Sequence, residues 1–253
     1  DRTVWVAFNG ELYNHEDRRK ELALAGHHFR TRCDTEILVH EWEEHGTQCV
    51  DWLEGQFAFS VWDATTRTLM VARDRLGIKP LYYVERPDLF AFASEPSALI
   101  AAGLVEANED SVHRDELLQL QFTCGGNTIY KDISRVLPGE TLEIRGARVV
   151  SRRQRPALPA PDATEFDSDT ALRRFNRALE DSVEKHQRSD VPYGLFLSGG
   201  TDSATMLALM ARQTDRPVQT FTAGFSERGV HDERDHARQL AKFMGMHVTV
   251  HSN

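Results

Sequence analysis

Leu195-Phe196-Leu197-Ser198-Gly199-Gly200-Thr201-Asp202-Ser203-Ala204 decides the fold of the second half of the chain. An apolar run ends at Leu197, two glycines follow, and helical periodicity begins at Ser203 and carries to Arg212. Paired glycines at a strand-to-helix turn let backbone approach a ligand closely, and a helix N-terminus offers unpaired N–H groups to phosphate. Ser198 and Ser203 add hydroxyl donors, and Asp202 is a carboxylate of the kind that holds a phosphate-neutralising Mg²⁺. The lysine of a Walker A loop is missing, as is the G-x-G-x-x-G of a dinucleotide site. The pattern therefore predicts phosphate binding outside those two families of loops.

Working outward, strands are expected at Tyr193–Leu197, Val218–Phe225 and Met246–His251. One helix carries Leu172, Phe175, Leu179, Val183 and His186 on one face behind a Ser168 cap, and another runs from an Asp232 cap to Gly245. This β-α-β-α-β alternation predicts a parallel sheet with right-handed crossovers. Upstream the period changes to two. Val4–Phe8, Phe57–Val61, Leu69–Ala72, Leu81–Val84 and Phe90–Ala93 read as strands, with a turn at Asp63–Arg67 and a hairpin around Arg145-Gly146. One helix is clear, Thr35–His45, stopped by Gly46. The expectation is an α+β domain over 1–150, a linker over 151–166 that contains Pro156, Pro159 and Pro161, and an α/β domain over 167–253.

With 30 basic against 39 acidic residues the formal charge is −9, all of it in the first 150 residues, which argues against a nucleic-acid or membrane-surface binder. No apolar run is long enough to span a bilayer, and no secretory signal is visible. Cys33, Cys49 and Cys124 form no C-x-x-C pair, which suits a reducing compartment, so a cytoplasmic location is expected. Glu36, His40 and Glu44 share a helix face, but with no further ligand in sight a solvated face is the reading. His27-His28 shows no recognisable partner. His231, His236, His247 and His251 read as surface or packing residues, Cys49 and Cys124 as buried small side chains, and Arg73-Asp74-Arg75 as a structural ion-pair cluster.

Two sets of motifs carry a resemblance. Ser198–Ser203 resembles the S-G-G-x-D-S loop of the ATP pyrophosphatase superfamily, whose members split ATP between the α and β phosphates, with Thr201 departing from the usual aliphatic residue. Asn9-Gly10-Glu11-Leu12-Tyr13-Asn14, by itself an ordinary turn, is followed in order by Cys33-Asp34-Thr35-Glu36, Gly55–Phe59, Ala72–Tyr83 and Phe92–Glu95. That series resembles, segment by segment, the class II glutaminase domain of glutamine-hydrolysing asparagine synthetases.

The resemblance implies an Ntn-hydrolase-type α+β glutaminase followed by a Rossmann-like α/β ATP pyrophosphatase domain. It implies an oxyanion hole from the Asn9 side chain and the Gly10 N–H, and a glutamine site of Asn9, Gly10, Glu11 and Asp34. ATP would lie on Leu197, Ser198, Gly199, Gly200, Asp202, Ser203 and Ala223, with Mg²⁺ held by Asp202 through the pyrophosphate. Glutamine would supply ammonia to an aspartyl-adenylate, giving asparagine, AMP and pyrophosphate. The partners are then small molecules, with no nucleic acid and no membrane, and a homodimer is compatible. The family's nucleophile is an N-terminal cysteine, whereas this sequence starts at Asp1, so it reads as the middle of a longer protein and is expected to be inactive alone. Other readings are an amidotransferase acting on a different carboxylate, a tRNA-thiolating enzyme, and a non-catalytic glutamine or nucleotide sensor. The thiolating enzyme would favour a basic surface and paired cysteines.

Overall fold

Alternating side chains build strand β1 (Val4–Leu12), and the same period carries β2 (Gly55–Asp63) and β3 (Thr68–Arg73). A computed structural model describes residues 2–158, 167–189, 191–214, 218–224, 233–244 and 248–252, and the chain divides into two units, Asp1–Pro161 and Asp162–Asn253.

In the first unit, β1, β2 and β3 are joined by β7 (Glu140–Arg145) and β8 (Arg148–Gln154) in an antiparallel sheet of order β1-β2-β3-β7-β8. A second sheet, order β5-β4-β6, comprises β4 (Tyr82–Arg86), β5 (Leu89–Ala93) and β6 (Ser134–Arg135). Period-two alternation gives the first sheet two apolar faces. Phe57, Phe59, Val61, Met70 and Ala72 pack against α1 (His15–Leu24) and α2 (Thr35–His45) through Leu22, Ile37, Leu38 and Trp42. Ala58, Val71, Leu142 and Ile144 pack against Leu81 and Tyr83 of the second-sheet side. Each such side chain withdrawn from water contributes about 1.5–3 kcal/mol, which is what holds the layers together. Two shorter helices, α3 (Pro96–Ala101) and α4 (Ser111–Leu120), complete the unit.

Several expectations need correction here. Asn9-Gly10 is not a turn: β1 runs straight through it, pairing Asn9 with Ala58 and Gly10 with Phe57. Helices α1, α3 and α4 had no clear apolar stripe. In α1 one of the two buried residues is Arg18, and α4 buries none. Arg18 Nε instead meets Glu41 Oε1 at 2.6 Å in the core. The expected linker starts too early, because β8 continues to Gln154 and Arg155 stays bound to the sheet, its Nη1 donating to Val50 O and its N–H to Gly139 O. Residues 159–166 lie outside the described residues.

In the second unit, α5 (Ser168–His186) is capped by Asp167, whose carboxylate accepts from Thr170 N, so the cap is one residue earlier than expected. Then come β9 (Gly194–Phe196), α6 (Thr201–Gln213), β10 (Gln219–Gly224), α7 (Arg234–Phe243) and β11 (Val248–Ser252). The strands are parallel, in the order β11-β10-β9. Val183, Leu197, Leu207, Met210, Ala237 and Ala241 form the core, with Leu179 packed beside it. Leu172 and Phe175, expected on the same buried face, are exposed. The anticipated Asp232 cap, the Gly245 stop, the ends Phe225 and Met246, and His231 and His247 lie outside the described residues.

Candidate functional site

β1 is an edge strand, and its outward-facing residues at the C-terminal half are Asn9 and Glu11. Asn9 opens onto a cleft of about 180 Å³ between the two sheets, lined also by Ala58, Ser60, Leu81, Phe92 and Ser94. Its Nδ2 donates to Ser94 Oγ at 3.3 Å. An amide nitrogen carries two protons, so one donor remains beyond that bond. Gly10 has no room for a side chain: a Cβ would stand 2.2 Å from Gln56 O and 2.7 Å from Phe57 Cα on the paired strand.

Asp34 reaches β1 from the start of α2. Its Oδ2 accepts from Leu12 N at 3.0 Å, and its Oδ1 from the Cys33 thiol at 3.4 Å. The Tyr13 hydroxyl is pushed above its ordinary pKa, first by burial and then by the negative charges of Asp74 and Glu11. The strand end thus carries an amide donor at Asn9, a carboxylate at Glu11 and, bound to Leu12 N, the Asp34 carboxylate. Of these residues only Asn9 lines the cleft. A larger hollow, about 380 Å³, is lined by Phe57, Asp74, Arg75 and Arg155 and by none of the four predicted residues.

Arg73-Asp74-Arg75 is a hydrogen-bonded frame rather than an ion-pair cluster. Asp74 is buried, and its carboxylate accepts from the N–H groups of Phe57 (3.2 Å), Leu76 (3.1 Å), Ile78 (3.0 Å) and Lys79 (3.0 Å). Arg73 donates to the carbonyls of Lys79, Gly77 and Val136, and Arg75 to that of Pro156. Since Phe57 pairs with Gly10, this frame fixes the strand beside the predicted oxyanion donor.

In the second unit the glycine loop leaves the C-terminal end of β9, the side on which open parallel sheets bind ligands. Leu197 is buried, donating to Phe221 O at 2.8 Å and accepting from Thr222 Oγ1 at 2.8 Å. Ser198 and Ser203 close the turn with hydroxyls 2.9 Å apart, Ser198 Oγ accepts from Gly200 N, and Ser203 Oγ lies 3.2 Å from Ser198 N. Asp202 is exposed in the first turn of α6, and Ala223 is exposed near the C-terminal end of β10. Sequence reasoning missed two neighbours. Glu233 accepts from Gly199 N at 3.3 Å, and a Cβ on Gly199 would stand 2.8 Å from His236 Nδ1. Neither residue had a spacing that tied it to a loop more than thirty positions away.

Cys49 is buried as expected, and burial together with the charge of Glu41 pushes its thiol up to about 12. Cys124 is exposed, contrary to expectation, because its turn lies at the surface, where its N–H donates to Glu116.

An antiparallel sheet layered with helices, carrying an amide donor and carboxylates at one strand end, is followed in this chain by a glycine turn on a parallel sheet. The family model described as "Glutamine amidotransferase domain" matches residues 1–154, and the chain belongs to that family. A second model, described as "Asparagine synthase", matches residues 174–252. Among curated proteins, asparagine synthetase [glutamine-hydrolyzing] 1 of Bacillus subtilis (strain 168) is 35% identical over 97% of this chain and 38% of its own length. Asparagine synthetase [glutamine-hydrolyzing] 3 of the same organism is 36% identical over 89% of this chain and 37% of its own. The chain therefore spans a little over a third of the length of these relatives. A solved glutamine phosphoribosylpyrophosphate amidotransferase from B. subtilis, complexed with ADP and GMP, covers 98% of this chain and 45% of its own at 18% identity and a TM-score of 0.43.

Proposed function

We propose that the whole protein to which this chain belongs makes asparagine from aspartate and ATP, using ammonia released from glutamine. One observation carries the reading: a single chain holds, in order, the amide-facing strand end over the stretch matched as glutamine amidotransferase and the glycine turn over the stretch matched as asparagine synthase. In this reading the first unit is an Ntn-hydrolase-type glutaminase and the second the start of a Rossmann-like ATP pyrophosphatase domain. They meet in a linker that begins after Arg155. The protein works in the cytoplasm on small molecules, and a homodimer is compatible with this reading.

Asn9 Nδ2 and the Gly10 N–H stabilise the oxyanion formed as the glutamine amide is attacked. Glu11 and Asp34 hold the α-ammonium, and Asp34 is kept in place by Leu12 N. In the second unit the backbone of Leu197–Ser203 and the Ala223 end of β10 receive ATP. The glycines fit that task, because Gly199 sits where any side chain would meet His236 and Gly200 exposes the first turn of α6. Asp202, a solvent-facing carboxylate in that turn, suits Mg²⁺, which takes one or two carboxylates and completes its shell with phosphate oxygens and water. ATP supplies adenylation: the aspartate side-chain carboxylate displaces pyrophosphate, and ammonia then displaces AMP. Performing both reactions in one protein keeps ammonia close to its acceptor.

Paired variants of the whole protein test this. Asp202→Ala should abolish AMP and pyrophosphate formation and leave glutaminase activity intact. Asn9→Ala should lower glutaminase kcat by about 10²–10³ and leave synthesis from added ammonia intact. Losses that fail to separate in this way would defeat the assignment.

A further inference from the structure

Outside both candidate sites, His27, His40 and Glu43 gather three ligand atoms in a small triangle. His27 Nδ1 and His40 Nδ1 are 3.0 Å apart, and Glu43 Oε2 is 2.8 Å from His40 Nδ1 and 3.3 Å from His27 Nδ1. With metal bonds of about 2.0–2.1 Å, tetrahedral geometry sets zinc ligand atoms about 3.3–3.4 Å apart. The triangle is therefore one face of such a tetrahedron, drawn in by a few tenths of an ångström, and an ion about 1 Å above its plane would reach all three atoms. The geometry points to a zinc site, formed by His27 from the segment between α1 and α2 and by His40 and Glu43 from α2, with the fourth position open to water.

The surroundings fit that use. His27 Nε2 lies 2.8 Å from Glu44 Oε1, which holds the proton on Nε2 and directs the Nδ1 lone pair into the triangle; carboxylates behind ligating histidines do this in zinc sites generally. His40 Nε2 lies 3.9 Å from Glu36 Oε1. Glu36 is itself held by the Thr31 hydroxyl and by the N–H groups of Arg30 and Thr31, which donate to its carboxylate at 2.6–2.7 Å. Glu36 is thus a carboxylate fixed by three hydrogen bonds behind the second imidazole. Phe29 meets the His40 ring edge-on at 4.6 Å, which restrains it. Both histidine side chains are 14% exposed against 36% for Glu43, so the triangle has a packed floor and one wet side.

Without an ion, two imidazole nitrogens and a carboxylate compete at 2.8–3.3 Å for protons that cannot satisfy all three. A divalent cation presents one acid to three lone pairs. Imidazole with carboxylate favours zinc among available metals and disfavours Mg²⁺ and Ca²⁺, which prefer all-oxygen shells. The effect would be a clasp holding the segment after α1 against α2, the segment that leads into Cys33 and Asp34. The helix face considered from sequence held three residues of the cluster, His40 as a ligand and Glu36 and Glu44 in supporting positions. The missing ligands were Glu43, one position along the helix from Glu44, and His27, which had shown no partner.

The test uses the whole protein, free of a histidine tag and stripped with chelator, titrated with Zn²⁺ against a chromophoric chelator and with Co²⁺ by visible absorption. One ion per chain is expected, with the intense bands of four-coordinate Co²⁺ and a Zn²⁺-dependent rise in Tm. His27→Gln and His40→Gln should abolish these signals. Glu43→Gln should weaken binding, and Glu44→Gln should weaken it about 10- to 100-fold as a supporting residue; both changes lie at the exposed rim and spare the packed rings. His28→Gln should bind as wild type. Absence of stoichiometric binding, a six-coordinate Co²⁺ spectrum, binding that survives His27→Gln, or binding unchanged by Glu43→Gln would overturn the assignment.

Discussion

Replacing Asp74 by alanine should be among the most destabilising single changes in the first unit. The side chain is 1% exposed and accepts four backbone N–H groups, two on each carboxylate oxygen. A net hydrogen bond to a charged group contributes about 1.5–3 kcal/mol, so a simple sum would exceed 6 kcal/mol. Bonds sharing one acceptor are not additive, and the carboxylate recovers its hydration on unfolding. We expect about 4 kcal/mol, at the upper end of what single substitutions cost. Asp74→Asn separates the geometry from the charge. Its one oxygen can keep two N–H donors, while its NH₂ must face the other two, so about half the alanine cost is expected, roughly 2 kcal/mol. All four tryptophans, Trp5, Trp42, Trp52 and Trp62, lie in the first unit, so indole fluorescence during urea unfolding reports this unit alone. With an m-value near 2 kcal/mol/M, the midpoint should fall by about 2 M for alanine and 1 M for asparagine. A shift under about 0.5 M for alanine would refute the claim that this carboxylate holds the frame behind β2.

The buried pair gives a second prediction: Arg18→Met strands Glu41, whose side chain is fully buried, and should cost about 3–5 kcal/mol, whereas adding Glu41→Leu should recover most of that by the same fluorescence assay. A third concerns pH. Burial would raise Asp63, but N–H groups of Thr66 and Thr65, with the Thr66 hydroxyl and the Trp42 indole, hold its pKa below the free value of 3.8. Its contribution is therefore complete above 3.8 and is lost as pH falls through the lower folded value. The stability gap between wild type and Asp63→Asn, measured by urea midpoints at a series of pH values, should close in that window; a gap unchanged down to pH 2 would contradict the assignment.

Much of the layered architecture was legible because its cause is local. Phe57, Phe59 and Val61 alternate with Ala58 and Ser60, and the structure uses both faces of that strand. The glycine turn was legible for the same reason, being bracketed by a short apolar strand and an apolar helix. What escaped depends on distant partners. Asn9-Gly10 has the composition of a turn, yet β2 offers both residues a full register of partners, and tertiary pairing overrides local preference. Helix α1 buries an arginine, which becomes possible only because Glu41 arrives from the next helix. At the candidate sites, Asn9, Asp34 and the Phe92–Glu95 stretch that holds Ser94 were quoted as motifs, whereas the approach of Glu233 and His236 to the glycine turn was not legible, since each arrives through the fold from far along the chain.

The pinning of Arg153 and Arg155 bears on how the two units could be separated by digestion. Arg153 contacts both oxygens of Asp51, at 2.8 and 2.6 Å, Arg155 reaches Val50 O and Asp51, and Arg152 sits in β8 on Glu140 and the Tyr83 hydroxyl. The run Ser151-Arg152-Arg153-Gln154-Arg155 looks like an open invitation to trypsin, but Arg155 precedes a proline, which blocks cleavage, and the bonds after Arg152 and Arg153 follow side chains tied into the first unit's sheet. From Pro156 to Leu172 there is no lysine or arginine at all, and the next site, Arg173, lies inside α5. Trypsin is therefore a poor reporter of this boundary. A glutamate-selective protease has Glu165 in the same stretch, followed by Phe166 rather than by proline, and suits the boundary where the arginine-directed enzyme finds no purchase.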